Sequence, residues 1–431
     1  MRTFSVLSLT AALAATTFGV ASAEVVGLRN GIAPDAVDEE TTASVPAPAP
    51  KAEERDPYEA LGIRAGSFIL YPSLTATTGY TTNASGSAGA AGSGFGLLEP
   101  ELFIQSDWAR HEATLSLRGS YEKFFDGASP DKPTAAADAT ARIDFENEWT
   151  ADLAAGATYS QQNISDASFP AGADTPPGVI GLSSSAALNG NFGRGTFTVE
   201  GSVHRTVYEN ATSGGVPVDQ GDRTNTDFGG RLRVGYEATA SLTPFVEGEI
   251  SRRAYDRTVD NGSLQRSSTG LTARAGVAFD RGPLLTAEIA VGTTQEDFDD
   301  PSLASLSALS VDGSLVWSPT ELTTVTFDGS TAINPSTNPA SSGSVVYDAS
   351  VDIAYAWRRN FTWDWTGEIN HEHFQGSEEV DTTYDVGMSA TWKINRSLHL
   401  TAGYVHEWVV STDPTVDYQS DAVRVKLRAQ R

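Results

Sequence analysis

From Gly66 to its end the sequence predicts an all-β fold, a transmembrane antiparallel up-and-down β-barrel of about 18 strands. Three observations point there. Apolar and polar residues alternate with period two, very short turns alternate with longer loops, and aromatic residues cluster beside the turns on the apolar parity.

The first 23 residues read as a cleaved secretory signal. Arg2 supplies the positive start, Phe4 to Val20 the apolar stretch, and Ala21, Ser22 and Ala23 a small-residue cleavage site. Residues 24–65 then carry Asp35, Asp38, Glu39 and Glu40, alternating Pro and Ala up to Pro50, and a charged run from Lys51 to Arg55. Low hydrophobicity with charge and proline predicts a disordered acidic periplasmic tail, which leaves 66–431 for the barrel. Beyond the leader no apolar run approaches the roughly 18 residues of a membrane helix, so any crossing must use strands.

The run from Asp138 to Trp149 shows the strand logic. Ala139, Ala141, Ile143, Phe145 and Trp149 take one parity, while Asp138, Thr140, Arg142, Asp144, Glu146 and Glu148 take the other. Period two puts those sets on opposite faces of a strand, whereas a helix would mix them. The same split recurs along the chain. Short turns are expected near 109–111, 150–151, 193–195, 238–241, 281–282, 318–319, 358–360 and 394–396. Longer Gly-, Ser-, Asp- and Pro-rich loops fall between them, the longest near 163–182. An even strand count puts both termini and the short turns in the periplasm, with the long loops outside.

Alternation alone would suit a soluble β-protein, so the aromatics decide. Trp108, Trp149, Tyr236, Phe279, Trp317, Trp357, Phe361 and Trp392 all sit beside short turns with outward parity. Tyr121, Tyr159, Tyr347, Tyr384 and Trp408 share that parity near the long loops. Two aromatic belts around a band of small aliphatic residues match the two interfaces of a bilayer. Lys123, Arg205 and Arg252 are outward charges close enough to loops to reach headgroups. One departure is that the last strand ends Leu427, Arg428, Ala429, Gln430, Arg431, without the terminal aromatic common in such barrels.

The inward parity carries the charge. Glu99, Glu101, Asp144, Glu146, Glu247, Glu249, Asp348, Asp352, Asp364 and Glu368 are expected to line the lumen, facing Arg118, Arg142, Arg231, Arg233 and Arg274. Such a wall would orient polar solutes in a water-filled channel, or would only solvate it and pair across strands. A net charge of −26 argues against nucleic acid as a partner. The absence of cysteine excludes disulfides, thiolate metal sites and cysteine nucleophiles. His371 and His373 face outward and lack a third ligand, and the acidic run from Glu296 to Asp300 lacks the spacing of a calcium loop. No hydrolase elbow or zinc signature is present, so neither catalysis, a metal nor a cofactor is expected.

The stretch from Asp56 to Phe68, with Gly62 and Gly66, leads into Ile69 to Leu74 and then Gly79, Tyr80, Thr81, Thr82 and Asn83. It resembles the lead-in to the first strand in a family of outer-membrane β-barrel porins of alphaproteobacteria. That family is similar to the barrel partners in exopolysaccharide export. The resemblance implies an outer-membrane conduit, surrounded by outer-membrane lipid, that exports polysaccharide with a periplasmic export protein. Two alternatives stay open. One is a general diffusion porin for small hydrophilic or cationic solutes, the other a surface barrel with partner-binding loops.

Overall fold

The computed structural model describes residues 57–431 except 147, 163–172, 174, 336–341 and 415. The expected signal, nearly all of the expected tail and much of the longest loop lie outside the described residues.

Period-two sequence becomes strand throughout. The first six are β1 (Phe68–Thr81), β2 (Ser93–Ser106), β3 (Glu112–Phe124), β4 (Lys132–Asp144), β5 (Thr150–Gln161) and β6 (Gly178–Phe192). Next come β7 (Gly195–Tyr208), β8 (Asn225–Tyr236), β9 (Leu242–Tyr255), β10 (Ser268–Asp280), β11 (Leu285–Phe298) and β12 (Leu306–Thr320). The last six are β13 (Thr323–Pro335), β14 (Gly343–Arg358), β15 (Phe361–Gln375), β16 (Val380–Asn395), β17 (Leu398–Ser411) and β18 (Tyr418–Gln430). Each pairs antiparallel with its neighbours in sequence. Strand β18 returns to β1 with the register Ser73↔Gln430 to Thr81↔Ala422, which closes the sheet. Closure leaves no long edge with unpaired backbone groups.

The expected count of 18 strands is therefore what the chain forms, C-terminal strand included. Helix among the described residues amounts to one 3-10 turn, Gly221–Arg223. Three consecutive short hairpins carry register shifts, between Trp317/Thr320, Tyr355/Arg358 and Lys393/Asn395. Bulges of this kind bend a strand and re-aim its side chains at a barrel rim.

Two local expectations are corrected. The strand drawn from Asp138 to Trp149 stops at Asp144, because Glu148 adopts a φ of 62° and the Phe145 amide bonds to the Trp149 carbonyl. Glu146 consequently lies exposed in a rim turn and not in the strand wall. In addition, the last residues assigned to the tail are ordered. Ile63–Ala65 forms a short strand that pairs with the start of β1.

Candidate functional site on the charged face

Along the strands one parity is apolar, while the other is polar and carries most of the charge. The apolar parity is the more exposed of the two, as Leu74, Leu117, Leu232, Ile289, Val386 and Leu427 show. Among the described residues buried aliphatic side chains are few and do not build a large hydrophobic core.

On the charged face the densest construction spans β7 to β12. Arg231 stands in register with Glu200 on one side and Glu249 on the other, and Arg233 with Glu247. The Glu247 side chain, 3% exposed, is gripped by three guanidiniums. Arg231 lies 3.3 Å away, Arg233 2.7 Å and Arg274 3.1 Å. Arg231 also pairs with Glu200, Arg233 with Glu288 at 2.8 Å, and Arg274 with Glu249 at 3.4 Å and Asp312 at 3.7 Å. Each arginine thus bridges at least two carboxylates, so all three guanidiniums are compensated and the five carboxylates leave the ladder net acidic. A low-exposure charge survives in such a place only when its partners are this close.

The opposite design holds from β13 to β17. Glu368 on β15 faces Asp385 on β16, and Asp385 faces Glu407 on β17, so three carboxylates lie in one register row. Asp352 faces Thr326 and Thr366, Asp364 faces Ala354 and Ser389, and Asp348 accepts from the Asn370 amide at 2.6 Å. Asp352 and Glu368 are exposed to solvent although they share the charged parity. Among the described residues Asp348, Asp352, Asp364 and Glu368 form no ion pair. Like charges directly opposite one another cost stability, which makes this row a construction that folding alone does not favour.

A third arc, β18 with β1 to β4, mixes the two signs. Glu101 accepts from Ser73 at 3.1 Å and from Arg428 at 2.9 Å, and Glu99 accepts from Thr77 at 3.4 Å. Arg118 pairs with Asp138 at 2.5 Å. Arg142 meets Asp144 at 3.0 Å, and Asp144 in turn accepts from the His111 amide at the rim. The remaining expected charges are therefore split between an arginine ladder, an acidic arc and this mixed arc.

Sequence reasoning overlooked Glu200, although its spacing from His204 on the same strand gives it the charged parity. It also overlooked that one glutamate would hold three arginines. Registers between neighbouring strands, set by loop lengths, decide that, and parity alone does not.

Charged-parity residues at the long-loop ends are packed tightly. Ser93, Ser268, Leu306, Ser310 and Ser344 are almost inaccessible. The loops above them are tied together. Arg257 binds Asp219 at 2.6 Å, the Asn261 amide donates to Asp222 at 3.1 Å, and the Gln265 amide donates to Asp300 at 3.0 Å. Arg266 and Asp260, both nearly buried, pair at 2.5 Å. Burial pushes the Asp260 carboxyl up, but Arg266 and the Leu264 and Gly262 amides outweigh it and hold it below its usual value of 3.8. At the same end of β1 to β4, Ala84 and Ala128 pack on Phe95 and Phe124.

The apolar face carries the expected aromatics near the short turns. Trp108, Tyr236, Trp317, Trp357 and Trp392 are exposed, and Trp149, Phe279 and Phe361 half-buried. Trp149 packs edge-on against Phe192 at 5.3 Å, as Trp357 does against Phe361 at 5.7 Å. At the long-loop ends the outward cations all have partners. Arg205 grips Asp256 at 2.7 Å, Arg252 grips Asp299 at 2.6 Å, and Lys123 approaches Asp131 at 3.5 Å.

The chain is similar to several solved outer-membrane proteins. The outer membrane protein opdK of Pseudomonas aeruginosa is 10% identical, over 84% of this chain and 99% of that one, with a TM-score of 0.43. A mutant of the ferric enterobactin receptor of the same organism is 9% identical, over 84% and 80%, with a TM-score of 0.43. The structure of OccK2 in complex with glucuronate, also from that organism, is 10% identical, over 84% and 98%, at 0.42. No curated protein matches the sequence. A sequence-family profile, however, matches residues 56–431, the whole barrel together with its lead-in. The chain belongs to the family described as Putative beta-barrel porin 2, and it is an outer-membrane β-barrel of porin type.

Proposed function

We propose that this barrel is a passive channel for small polar solutes and that it favours cations. In this reading the charged face is the lumen wall and the apolar face bears lipid. Trp108, Trp149, Tyr236, Phe279, Trp317, Trp357, Phe361 and Trp392 then form the belt at the periplasmic interface. A barrel of this strand number is wide enough for an aqueous channel. The observation that carries the preference is the in-register row Glu368, Asp385 and Glu407 beside exposed Asp352. Stability is spent there on negative potential, while the arginines of the ladder are occupied by glutamates and attract few anions. Planar-bilayer recording in a steep KCl gradient tests it. A reversal potential displaced towards the potassium equilibrium potential supports the reading, and an anion-selective or nonselective current rejects it.

A second reading is export of an exopolysaccharide with a periplasmic partner. The tight packing at the long-loop ends favours it, since a barrel closed there at rest would open on engagement. Its polymer would be neutral, because the acidic arc repels an anionic one. Silent bilayers, together with loss of surface polysaccharide on deletion of the gene, would favour export over free diffusion.

A further inference from the structure

The segment from Pro57 to Ser67, which precedes the barrel proper, has no part in the channel argument, yet it is built into the wall. A strand has two edges. At the start of β1, Phe68, Ile69 and Leu70 pair on one edge with Ser106, Gln105 and Ile104 of β2. Their other edge is taken by Ala65, Arg64 and Ile63. That second edge is the one that β18 occupies further up, from Ser73 to Thr81. The Arg431 amide, at the junction, donates to the Pro72 carbonyl at 3.1 Å. The seam of the barrel is thus covered by two different neighbours, β18 above and Ile63–Ala65 below.

We infer that Ile63–Ala65 is a clasp that seals the periplasmic end of the β1–β18 seam and fixes where the N-terminal arm leaves the wall. Its local chemistry suits the position. Gly66, with a φ of 63°, supplies the tight turn back into β1. Ile63 lies opposite Leu70 and Ala65 opposite Phe68, so both continue the apolar parity. Phe68 packs edge-on against Trp108 at 5.5 Å, which places the clasp inside the aromatic belt. Arg64 falls on the charged parity and binds Asp107 at 2.5 Å. Gly62 has a φ of 68°, and a Cβ there would sit 2.4 Å from the Ile69 side chain and 2.8 Å from the Tyr71 ring. The Tyr71 ring leans over this glycine, a device that protects an edge glycine in designed sheets. A side chain at position 62 would both strain the backbone and displace that ring.

The chain contains no cysteine, so any disulfide formed is the engineered one. Arg64→Cys with Ile69→Cys, in the full-length protein in outer membranes, tests the clasp. Thr77→Cys with Lys426→Cys, which face each other across β1 and β18, is the control for seam closure. The inference expects both pairs to cross-link. It also expects Gly62→Val or Ile63→Pro to raise the open population of the clasp roughly two- to tenfold, the cost of one or two lost backbone bonds. That opening would be read as slower cross-linking of the lower pair with the control unchanged, and as a lower temperature for losing the folded band on unboiled gels. Cross-linking of the control alone would overturn the inference, as would an unchanged gel transition in both variants.

Discussion

Two carboxylates of the same face should respond in opposite ways to the same loss of charge. Glu247→Gln removes the centre of the arginine ladder, where three guanidiniums lie within 3.3 Å. Hydrogen bonds to charged groups are worth about 1.5–3 kcal/mol each, and orphaning a buried ion pair costs about 3–5 kcal/mol. Here the arginines keep Glu200, Glu288 and Glu249 as alternatives, so the expected loss is about 3 kcal/mol, the lower end of that range. Asp352→Asn removes a charge that is exposed and flanked by threonines, and its effect on stability should stay within about 0.5 kcal/mol. Urea unfolding of the detergent-solubilised barrel, followed by tryptophan fluorescence, measures both. Equal midpoints for Glu247→Gln and the parent would refute the ladder as a structural device. A large loss for Asp352→Asn would refute the claim that folding does not favour the acidic arc.

Other expectations concern the remaining surfaces. Val291→Arg places a charge in the middle of β11 on the apolar face and should cost about 2–4 kcal/mol in the same unfolding assay if lipid covers that face. In the loop between β9 and β10, Asp260 is held below its usual value of 3.8, so its bond to Arg266 contributes stability above that value. The contribution is lost as pH falls through the depressed folded value. Limited proteolysis of whole cells with an acid-active protease should therefore cut at 256–267 in strong acid and not at pH 5. Asp260→Asn should make that loop sensitive at both.

Strand number and parity were legible in the sequence because each depends on residues within a single strand or turn and not on which strand lies beside it. The alternation in Asp138 to Asp144 or in Leu271 to Phe279 survives any choice of neighbour. What the sequence hid were relations between strands. Glu247 meets three arginines only because β8, β9 and β10 adopt one register. The row of Glu368, Asp385 and Glu407 likewise needs two registers at once. Glu146 was misplaced because a left-handed residue, Glu148, ends the strand early, and glutamate gives no warning of that conformation. The clasp was hidden by its length, since three residues carry too little alternation to stand out from a tail rich in charge.

The acidic arc as the source of cation preference is tested most directly by the reversal potential of Asp352→Asn combined with Glu368→Gln. A carboxylate roughly 5 Å from the ion path contributes about 0.8 kcal/mol in water. Salt near physiological strength screens charges over about 8 Å, which leaves the two together roughly half of their sum. The account predicts that the cation-to-anion permeability ratio falls roughly three- to fivefold with stability unchanged or slightly raised as carboxylate repulsion is relieved. An unaltered reversal potential in a folded double variant would contradict it.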